Sequence, residues 1–404
     1  MSGNDPFLRM SQDSIPAYQA RKIYKLNQMK IKKSFFRKKG MSSGTIVAAV
    51  VYLMIFQGCR QGRSSGYQEG IPEIRGIYGS PVPLWNKGLR LDELSVNSVF
   101  LNWHSIDEML LERAESEEAY VYAEFPLLNG KDYVEIHPEA WAIDMYGNRV
   151  EPASWFMGVC PTEPGFREFR TGELKALLDQ YDLKGIWLDY LHWHAQFEEP
   201  EPILPETCFC DHCIKTFESF AGINIPGSTT AEKAEKILTD HDSLWREWRC
   251  NIIAGWVKDM REIVKKHDPE MLLGIYHCPW DDNEFEGARR RILGLDYDLL
   301  RDVTDIFSPM VYHGRMGRDA EWVRDNIEWF CGRLGTEAGS FPKVWPIVQA
   351  YDDPYVITPG EFENVLRFGA VSGSTGVMMF TSYAVSQSEL KIATLRKVYA
   401  EWAH

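Results

Sequence analysis

The sequence lacks several patterns that mark common classes of protein. No Gly-x-Gly-x-x-Gly follows its first predicted strand, which argues against a dinucleotide-binding fold. It has no His-Glu-x-x-His segment, the pattern of a helix that carries a catalytic zinc ion. There is no internal repeat, and low complexity is confined to a short stretch near the N-terminus. What is left is a chain of 404 residues, 45% of them hydrophobic, which is enough for one large core.

Positive charge is scarce outside the N-terminal segment. Residues 1–59 hold ten of the 44 Lys and Arg residues but only two of the 58 Asp and Glu residues, so the remainder carries a net charge of −22. Phosphate binding requires the opposite balance, and a nucleic-acid partner is therefore not expected. The same acidity is typical of a well-solvated protein surface.

The N-terminal apolar run is too short for a comfortable membrane span. Gly44–Phe56 has only thirteen residues, follows a basic stretch and precedes Gly58-Cys59, as in the apolar part of a signal peptide. Gly58-Cys59 resembles the lipobox of bacterial lipoproteins, whose cysteine is lipidated. We predict a bacterial protein exported to the periplasm, the cell envelope or the medium, with residues 1–70 outside the fold and residues 71–404 as one domain. Membrane contact is expected only through this segment, and a short uncleaved anchor is the alternative.

From Pro72 onward, β-rich runs alternate with amphipathic helical patterns, which is typical of a parallel sheet. The eight predicted strands are Ile74–Tyr78, Val96–Trp103, Ala119–Phe125, Gly185–Tyr190, Leu272–His277, Ile306–Tyr312, Val344–Ala350 and Gly376–Thr381. Eight such units predict an α/β fold of the (β/α)8 TIM-barrel class. Long loops are expected after strands 3 and 4, at residues 127–163 and 191–230. A doubly wound open sheet is the alternative.

Polar and aromatic side chains recur at one end of nearly every predicted strand. In strand four, the apolar run Gly185–Leu188 ends at Asp189, and Tyr190 and His192 follow it. The carboxyl ends of barrel strands meet at one mouth, where barrel enzymes keep their catalytic residues. Carboxyl groups there can cleave a glycosidic bond, while aromatic rings and imidazoles can contact sugar faces and hydroxyl groups. The pattern predicts a glycoside hydrolase.

Cleavage of a glycosidic bond needs two carboxyl groups. Asp189 is the first candidate, as acid or nucleophile, and the second is sought among Glu124, Asp281 and Asp352. Glu198, in a proline-rich run, is interpreted as part of a solvated loop. The predicted substrate-binding residues are Trp103, His104, Tyr190, His192, His277, Trp280, Tyr312 and His313.

The expected substrate is an oligosaccharide or polysaccharide, and no cofactor is expected in catalysis. The sugar, the linkage and the stereochemical outcome stay open at this point, because they depend on distances. Two alternatives remain. One is a carbohydrate-binding barrel without activity, which needs no carboxyl pair. The other is a metal-dependent hydrolase with a His/Asp site.

Four of the eight cysteines form a metal-like pattern. Cys208, Cys210 and Cys213 lie within six residues, and Cys160 precedes Cys208 by forty-eight. Four thiolates within tetrahedral reach would hold a structural zinc ion that joins the two long loops. Disulfides are the alternative in an oxidising compartment, although Cys208 and Cys210 cannot easily pair with each other.

The cysteine pattern resembles the zinc site of the family-42 β-galactosidases, which are (β/α)8 barrels. Gly158–Glu168 is similar to a Cys-Pro-x-x-Pro-x-x-Arg-Glu segment found in that family and in related glycosidase-like proteins. Gly185–Trp193 and Ser308–His313 are similar to segments of other glycosyl-hydrolase barrels. The resemblance covers roughly Cys160–His313. It implies carbohydrate hydrolysis on a barrel whose structural zinc is bound by the four cysteines.

The catalytic pair of that family does not transfer to this chain. The family has Asn-Glu at the end of strand four and a second Glu on strand seven. This chain has Leu188-Asp189 at the first place and Gln349 near the second, with Asp352 slightly further on. Only Asp189 transfers, as the general location of a catalytic carboxyl group. The resemblance therefore implies a divergent relative and not a β-galactosidase.

Overall fold

The computed structural model describes residues 70–336, 341–371 and 373–403. The predicted export signal and Cys59 lie outside the described residues. Within these ranges, no helix combines the length and the apolar character needed to cross a bilayer.

The described residues contain nine short strands in one closed, fully parallel sheet. They are β1 (Ile74–Tyr78), β2 (Ser98–Asn102), β3 (Tyr120–Pro126), β4 (Gly185–Asp189), β5 (Leu272–His277), β6 (Ile306–Val311), β7 (Lys343–Val344), β8 (Ile347–Gln349) and β9 (Gly376–Phe380). Successive strands pair from β1 to β6, β6 pairs with both β7 and β8, β8 pairs with β9, and β9 pairs with β1.

The short strands β7 and β8 are two parts of one barrel strand. Pro346 lies between them and has no amide hydrogen to donate to β6, so the pairing is interrupted there. With this strand counted once, the ring has eight parallel strands. The predicted (β/α)8 barrel is confirmed.

Helices surround the barrel and lie between its strands. They are α1 (Val82–Trp85), α2 (Glu108–Ser116), α3 (Lys131–Ile136), α4 (Pro164–Gln180), α5 (Asp211–Ala221), α6 (Thr230–Asp240), α7 (Asp242–His267), α8 (Glu284–Arg291), α9 (Tyr297–Leu300), α10 (Glu321–Leu334), α11 (Pro359–Gly369), α12 (Ser382–Ser386) and α13 (Glu389–Trp402). The helical pattern after residue 230 is interrupted at His241, whose backbone is not helical, so it forms two helices, α6 and α7. The last helix starts at Glu389 because the Ser388 side chain caps it by accepting the Lys391 amide.

Four aromatic rings fill the lower part of the barrel interior. Phe100 and Tyr122 stack with their centroids 4.6 Å apart, and Trp187 and Trp345 stack at 5.4 Å. The two pairs meet edge to face, which is a favourable geometry for aromatic rings. The Trp187 indole nitrogen donates to the Ser308 hydroxyl at 3.0 Å, so the one buried donor of this ring has its partner.

Glycines on the other strands make room for these rings. A Cβ atom at Gly274 would lie 2.2 Å from Cε2 of Trp187, and one at Gly376 would lie 2.7 Å from Cδ1 of Trp345. At Gly76 it would lie 2.8 Å from a Phe100 ring carbon. The barrel floor is therefore packed by large rings against glycine backbone, with no room for a further side chain.

The two predicted long loops pack against each other at the carboxyl end of the barrel. Gly158, in the loop after β3, donates its amide to Nδ1 of His194, in the loop after β4, at 3.0 Å. The His194 Nε2 lies 3.0 Å from the Glu151 carbonyl oxygen, to which it donates in this tautomer. Burial lowers the pKa of His194 to about 4, so this link between the loops uses a neutral imidazole.

Candidate active site at the barrel mouth

The layer of side chains directly above the aromatic floor contains polar groups. Side chains two residues apart on a strand share a face, so Glu124 and Asp189 lie on the inner face above Tyr122 and Trp187. Glu124 is buried and accepts a hydrogen bond from the Tyr78 hydroxyl. Its other oxygen accepts from the Asn102 amide at 3.2 Å. Side chains from β1 and β2 thus both donate to this carboxylate on β3.

Asp189 occupies the end of β4 and is only partly buried. One of its oxygens accepts the backbone amide of Tyr190 at 2.7 Å. Loss of hydration raises the pKa of Asp189 well above its ordinary value, and the negative charges of Glu124 and Glu198 raise it further. This carboxyl group therefore keeps its proton at pH values where an ordinary aspartate is ionised.

A small cleft opens beside Asp189. Trp155 and Phe156, from the loop after β3, form part of its wall. Most of the remaining lining comes from β4 and the loop that follows it, between Asp189 and Glu198, and Met310 of β6 completes it. The two long loops therefore build the cleft, as their position in the sequence predicts.

Two polar side chains near the carboxyl groups have no hydrogen-bond partner within the described part of the chain. Both amide atoms of Gln196, which lines the cleft, are buried without one, and so is the hydroxyl of Tyr276. Burial, Glu124 and Asp189 all raise the pKa of Tyr276, which places its ring among these carboxyl groups. Buried polar groups normally have partners, so these groups are suited to hydrogen-bonding a ligand.

Glu198 differs from its sequence interpretation. Instead of extending into solvent, its side chain lines the cleft and is only 19% exposed. Its carboxylate lies 3.7 Å from the Arg315 guanidinium, which also donates to Glu199 at 2.9 Å. The guanidinium carbon lies 4.5 Å from the centre of the Trp155 ring. Arg315 follows β6, so this pairing across loops could not be found from the local proline-rich sequence.

The three candidates for the second carboxyl group lie in different surroundings. The structure brings Glu124 beside Asp189. Asp281 instead accepts the backbone amides of Asn283 and Glu284, which start α8, and Asp352 accepts from the Lys391 ammonium at 2.6 Å. Among the described residues that line the cleft, neither Asp281 nor Asp352 occurs.

Two of the predicted substrate-binding residues line the cleft. The Tyr190 ring is parallel to that of Phe156, with 5.3 Å between centroids, and His192 lies 4.8 Å from the same ring. Burial lowers the pKa of His192 to about 4, so its imidazole is neutral. Tyr190 has a φ of 51°, in the left-handed region that ordinary residues rarely adopt, and such strain often accompanies functional positions.

Other predicted substrate-binding residues lie beside the cleft. Trp280 packs edge-on against Phe197, a residue of the cleft lining, at 5.9 Å. The Tyr312 ring lies 5.2 Å from that of Phe380. Trp103 and the exposed His104 lie at the end of β2, with ring centroids 3.8 Å apart and planes tilted by 31°, and neither is among the described residues that line the cleft.

Two histidines are held in protein contacts away from the cleft lining. His277 is fully buried, lies 4.9 Å from the Tyr297 ring and hydrogen-bonds the Cys278 carbonyl at 2.6 Å. Because Tyr276 points inward, its neighbour His277 points outward toward the helices. His313 hydrogen-bonds Glu361 at 3.0 Å. Their predicted contact with substrate hydroxyl groups stays a prediction.

The four cysteines of the sequence pattern meet in space. The sulfur atoms of Cys160, Cys208, Cys210 and Cys213 all lie within 4.8 Å of one another. Cys160 is 3.4 Å from Cys213 and 3.7 Å from Cys210, sulfur to sulfur. Tetrahedral coordination with metal–sulfur bonds of about 2.3 Å puts the sulfur atoms about 3.8 Å apart, so the donor set fits a thiolate-bound metal ion. The cluster joins the loop after β3 to the start of α5.

Comparisons with known proteins show the fold and leave the sequence family open. No protein-family model and no curated protein matches the chain. The glycoside hydrolase domain of PgaB (BpsB) from Bordetella bronchiseptica is similar, with a TM-score of 0.58, 12% identity, and coverage of 79% of this chain and 92% of that one.

Two β-galactosidases are also similar in structure. The enzyme from the haloarchaeon Halorubrum lacusprofundi has a TM-score of 0.59 and 12% identity, over 81% of this chain and 58% of that one. The catalytic mutant of Gan42B, a GH42 β-galactosidase from G. stearothermophilus, gives 0.56 and 11%, over 83% and 58%. The chain thus spans less than two thirds of these galactosidases. The expected likeness to glycoside hydrolase barrels, family 42 included, is confirmed at the level of the fold.

Proposed function

We propose that this protein is a glycoside hydrolase in which Asp189 protonates the leaving oxygen of a glycosidic bond. The observation that carries the proposal is the position of Asp189. Its carboxyl group lies in a cleft at the barrel mouth, beside further carboxyl groups, and burial raises its pKa. A raised pKa is what a general acid needs in order to hold its proton near neutral pH. The similar folds of solved glycoside hydrolases support the same class of reaction.

In the proposed reaction, the proton of Asp189 passes to the glycosidic oxygen while the bond from this oxygen to the anomeric carbon breaks. The bonding electron pair stays with the oxygen, and the departing sugar leaves as an alcohol. A second carboxylate is required, to attack the anomeric carbon or to activate a water molecule.

The cleft lining favours a carbohydrate substrate. The Tyr190 ring is partly exposed and can contact a sugar, and the Gln196 amide offers one donor group and one acceptor for hydroxyl groups. The two long loops at the carboxyl end of the barrel build the cleft, and we propose an oligosaccharide or polysaccharide as its substrate. The identity of the sugar is left to experiment.

The test compares the wild type with Asp189→Asn and a matched control, Asp182→Asn, an exposed residue just before β4 at the other end of the barrel. We expect the wild type to release reducing sugar from one or more members of a polysaccharide and aryl-glycoside panel. Asp189→Asn should lose activity by about 10²–10⁴-fold, the usual contribution of a general acid. Asp182→Asn should match the wild type.

The same variants separate hydrolysis from binding without turnover. Saccharides bound by the wild type in calorimetry, with no turnover of any panel member, would contradict the enzyme proposal and favour a carbohydrate-binding barrel. An Asp189→Asn protein with wild-type turnover would contradict the role given to Asp189.

We also propose that the four-cysteine cluster binds zinc in a structural role. Zinc is the metal that four thiolates favour, and a closed site has no position left for substrate. Mass spectrometry of the purified protein should find about one zinc ion per chain. Cys213→Ser should lose the zinc and stability together, whereas Cys250→Ser, at a buried thiol outside the cluster, should keep the zinc. A metal-free wild type with paired cysteines would contradict this proposal.

Export is a further proposal, and it depends on residues 1–69. The supporting pattern is the basic stretch, the apolar run Gly44–Phe56 and the Gly58-Cys59 pair. Cell fractionation and mass spectrometry of the mature N-terminus would test it. Protein in the cytoplasm with its N-terminal segment intact would contradict it.

A further inference from the structure

Two carboxyl groups face the cleft. Among the described residues that line it, Asp189 and Glu198 are the ones with carboxylate side chains. Asp189 comes from the end of β4, while Glu198 comes from the loop that follows, so different backbone segments hold the two groups. They are near enough for the charge of Glu198 to act on Asp189.

Arg315 places a positive charge beside Glu198. Its guanidinium lies 3.7 Å from the Glu198 carboxylate, and its backbone amide donates to the Gln349 side chain at 3.1 Å. Gln349 in turn donates to the carbonyl oxygens of Tyr351 and Asp353 at 3.1 and 2.7 Å. The Arg315 backbone is thus tied to β8 and the segment that follows it, and its guanidinium is positioned next to the Glu198 carboxylate, which favours a preorganised charge at the cleft.

Glu124 is suited to a different task. It is 3% exposed, and its two oxygens accept hydrogen bonds from Tyr78 and Asn102. Its charge acts on Asp189, and the cleft lining does not include it among the described residues. Glu124 therefore helps Asp189 to keep its proton, as a positioning residue without direct contact with the reacting atoms.

We propose that Glu198 is the second carboxyl group of the reaction and takes a proton from the water molecule that attacks the anomeric carbon. The inference rests on the proposed function. As the water oxygen bonds to the anomeric carbon, one water proton passes to the Glu198 carboxylate. Asp189 gives its proton to the departing oxygen, so the products are a free hemiacetal of inverted configuration and an alcohol. Exchange of protons with solvent then restores both groups.

The electrostatics of the loop agree with this role. Burial raises the pKa of Glu198, and Arg315 opposes that rise. Glu198 is thus a stronger base than an exposed glutamate, while the nearby guanidinium favours its ionised form. Arg315 is a positioning residue in this scheme, since it acts on substrate only through Glu198.

The first experiment compares Glu198→Gln, Asp189→Asn and a control, Glu201→Gln, which changes an exposed residue of the same loop. The probes are phenyl and 2,4-dinitrophenyl glycosides of the sugar that the wild type cleaves. Dinitrophenolate departs without protonation, so Asp189→Asn should recover much of its lost rate on that probe. Glu198→Gln should lose about 10²–10⁴-fold on both probes, because water activation is needed for each. Glu201→Gln should match the wild type.

The second experiment adds azide to the Glu198→Ala variant. Azide is already an anion, so it can attack the anomeric carbon without a base to take a proton from it. Restored turnover, with a glycosyl azide of inverted configuration, is the expected result, and a purely structural role of Glu198 would not produce it. Hydrolysis by the wild type should also give the inverted anomer in proton NMR. A retained anomer, or a Glu198→Gln protein as active as the wild type, would overturn the inference.

Failure of the two proposals can be told apart. If the wild type cleaves no member of the panel, the proposed hydrolase activity fails, and this inference fails with it. If the wild type and Glu201→Gln are active while Glu198→Gln is equally active, only the assignment of Glu198 fails. The far-ultraviolet circular dichroism spectrum and the melting temperature of each variant show whether it is folded.

Discussion

The floor and the mouth of the barrel are built on the same strands, but the floor is filled by aromatic rings and the mouth contains carboxyl groups. In the floor, four aromatic rings pack against glycine backbone, and the indole donors of Trp187 and Trp345 both have partners. Two residues further along the strands, Glu124 and Asp189 bring carboxyl groups into the interior. Two residues along a strand therefore separate a closely packed aromatic layer from a layer that contains carboxyl groups.

The difference shows where stability and function lie. The floor gains free energy from close contact and the burial of apolar rings. The mouth holds a carboxyl group with a raised pKa, unpaired polar atoms and a strained Tyr190 backbone, each of which lowers stability. Such costs are retained in proteins where a ligand or a reaction requires them. The contrast gives three predictions for the two layers.

The largest effect is expected in the floor, from Gly274→Ala. The added Cβ atom would lie 2.2 Å from the buried Trp187 ring, which has no space in which to move. We expect the free energy of unfolding to fall by about 3 kcal/mol or more, as measured by urea denaturation. The matched change Gly255→Ala, on α7 with nothing within 4 Å, should stabilise the protein by about 0.5–1 kcal/mol. Equal stabilities of the two variants would show that the floor is loosely packed.

A smaller effect is expected in the mouth, from a pair of tyrosines. Tyr78→Phe removes a donor from the buried Glu124 carboxylate and should cost about 1.5–3 kcal/mol of unfolding free energy. Tyr276→Phe removes a hydroxyl without a partner in the described part of the chain, so stability should change by less than about 0.5 kcal/mol. Substrate affinity should nevertheless fall in Tyr276→Phe if that hydroxyl contacts the ligand. The same thermal stability in both variants would contradict this view of the mouth.

A change of opposite sign is expected for Asp189→Asn. The pKa of Asp189 is raised in the folded state, so between its unfolded pKa and its folded pKa the folded protein binds more protons. Unfolding free energy should therefore fall as pH rises through this window, by about 1.4 kcal/mol for each unit of elevation. Asp189→Asn should lack this fall and be more stable than the wild type at neutral pH. Urea denaturation at several pH values, with Asp182→Asn as control, measures it. A less stable Asp189→Asn would contradict the prediction.

Local patterns in the sequence were sufficient to predict the barrel architecture. Apolar β-rich runs alternated with helical patterns, and each of the eight predicted strands overlaps a strand of the barrel. Asp189 was placed at the end of its strand because an apolar run stops there. The cysteine spacing likewise predicted a cluster that the fold brings together. These features depend on residues close in sequence, or on the rule that all parallel strands end at one mouth.

The composition of the site depended on contacts that no local pattern contains. The neighbouring prolines predict a solvated Glu198, but its side chain lines the cleft, 3.7 Å from the Arg315 guanidinium. Asp352 follows a barrel strand as Asp189 does, yet it pairs with Lys391 from α13. The strand alternation turns His277 outward although it ends its strand.

By itself, the order of residues determined the eightfold alternation, the acidic mouth and the grouping of four thiols, because periodicity and spacing act over short stretches of chain. Tertiary structure alone decided which carboxyl groups face the cleft and which of them keep a proton. Burial and the approach of charges from distant loops set those properties, and both arise only when the barrel closes.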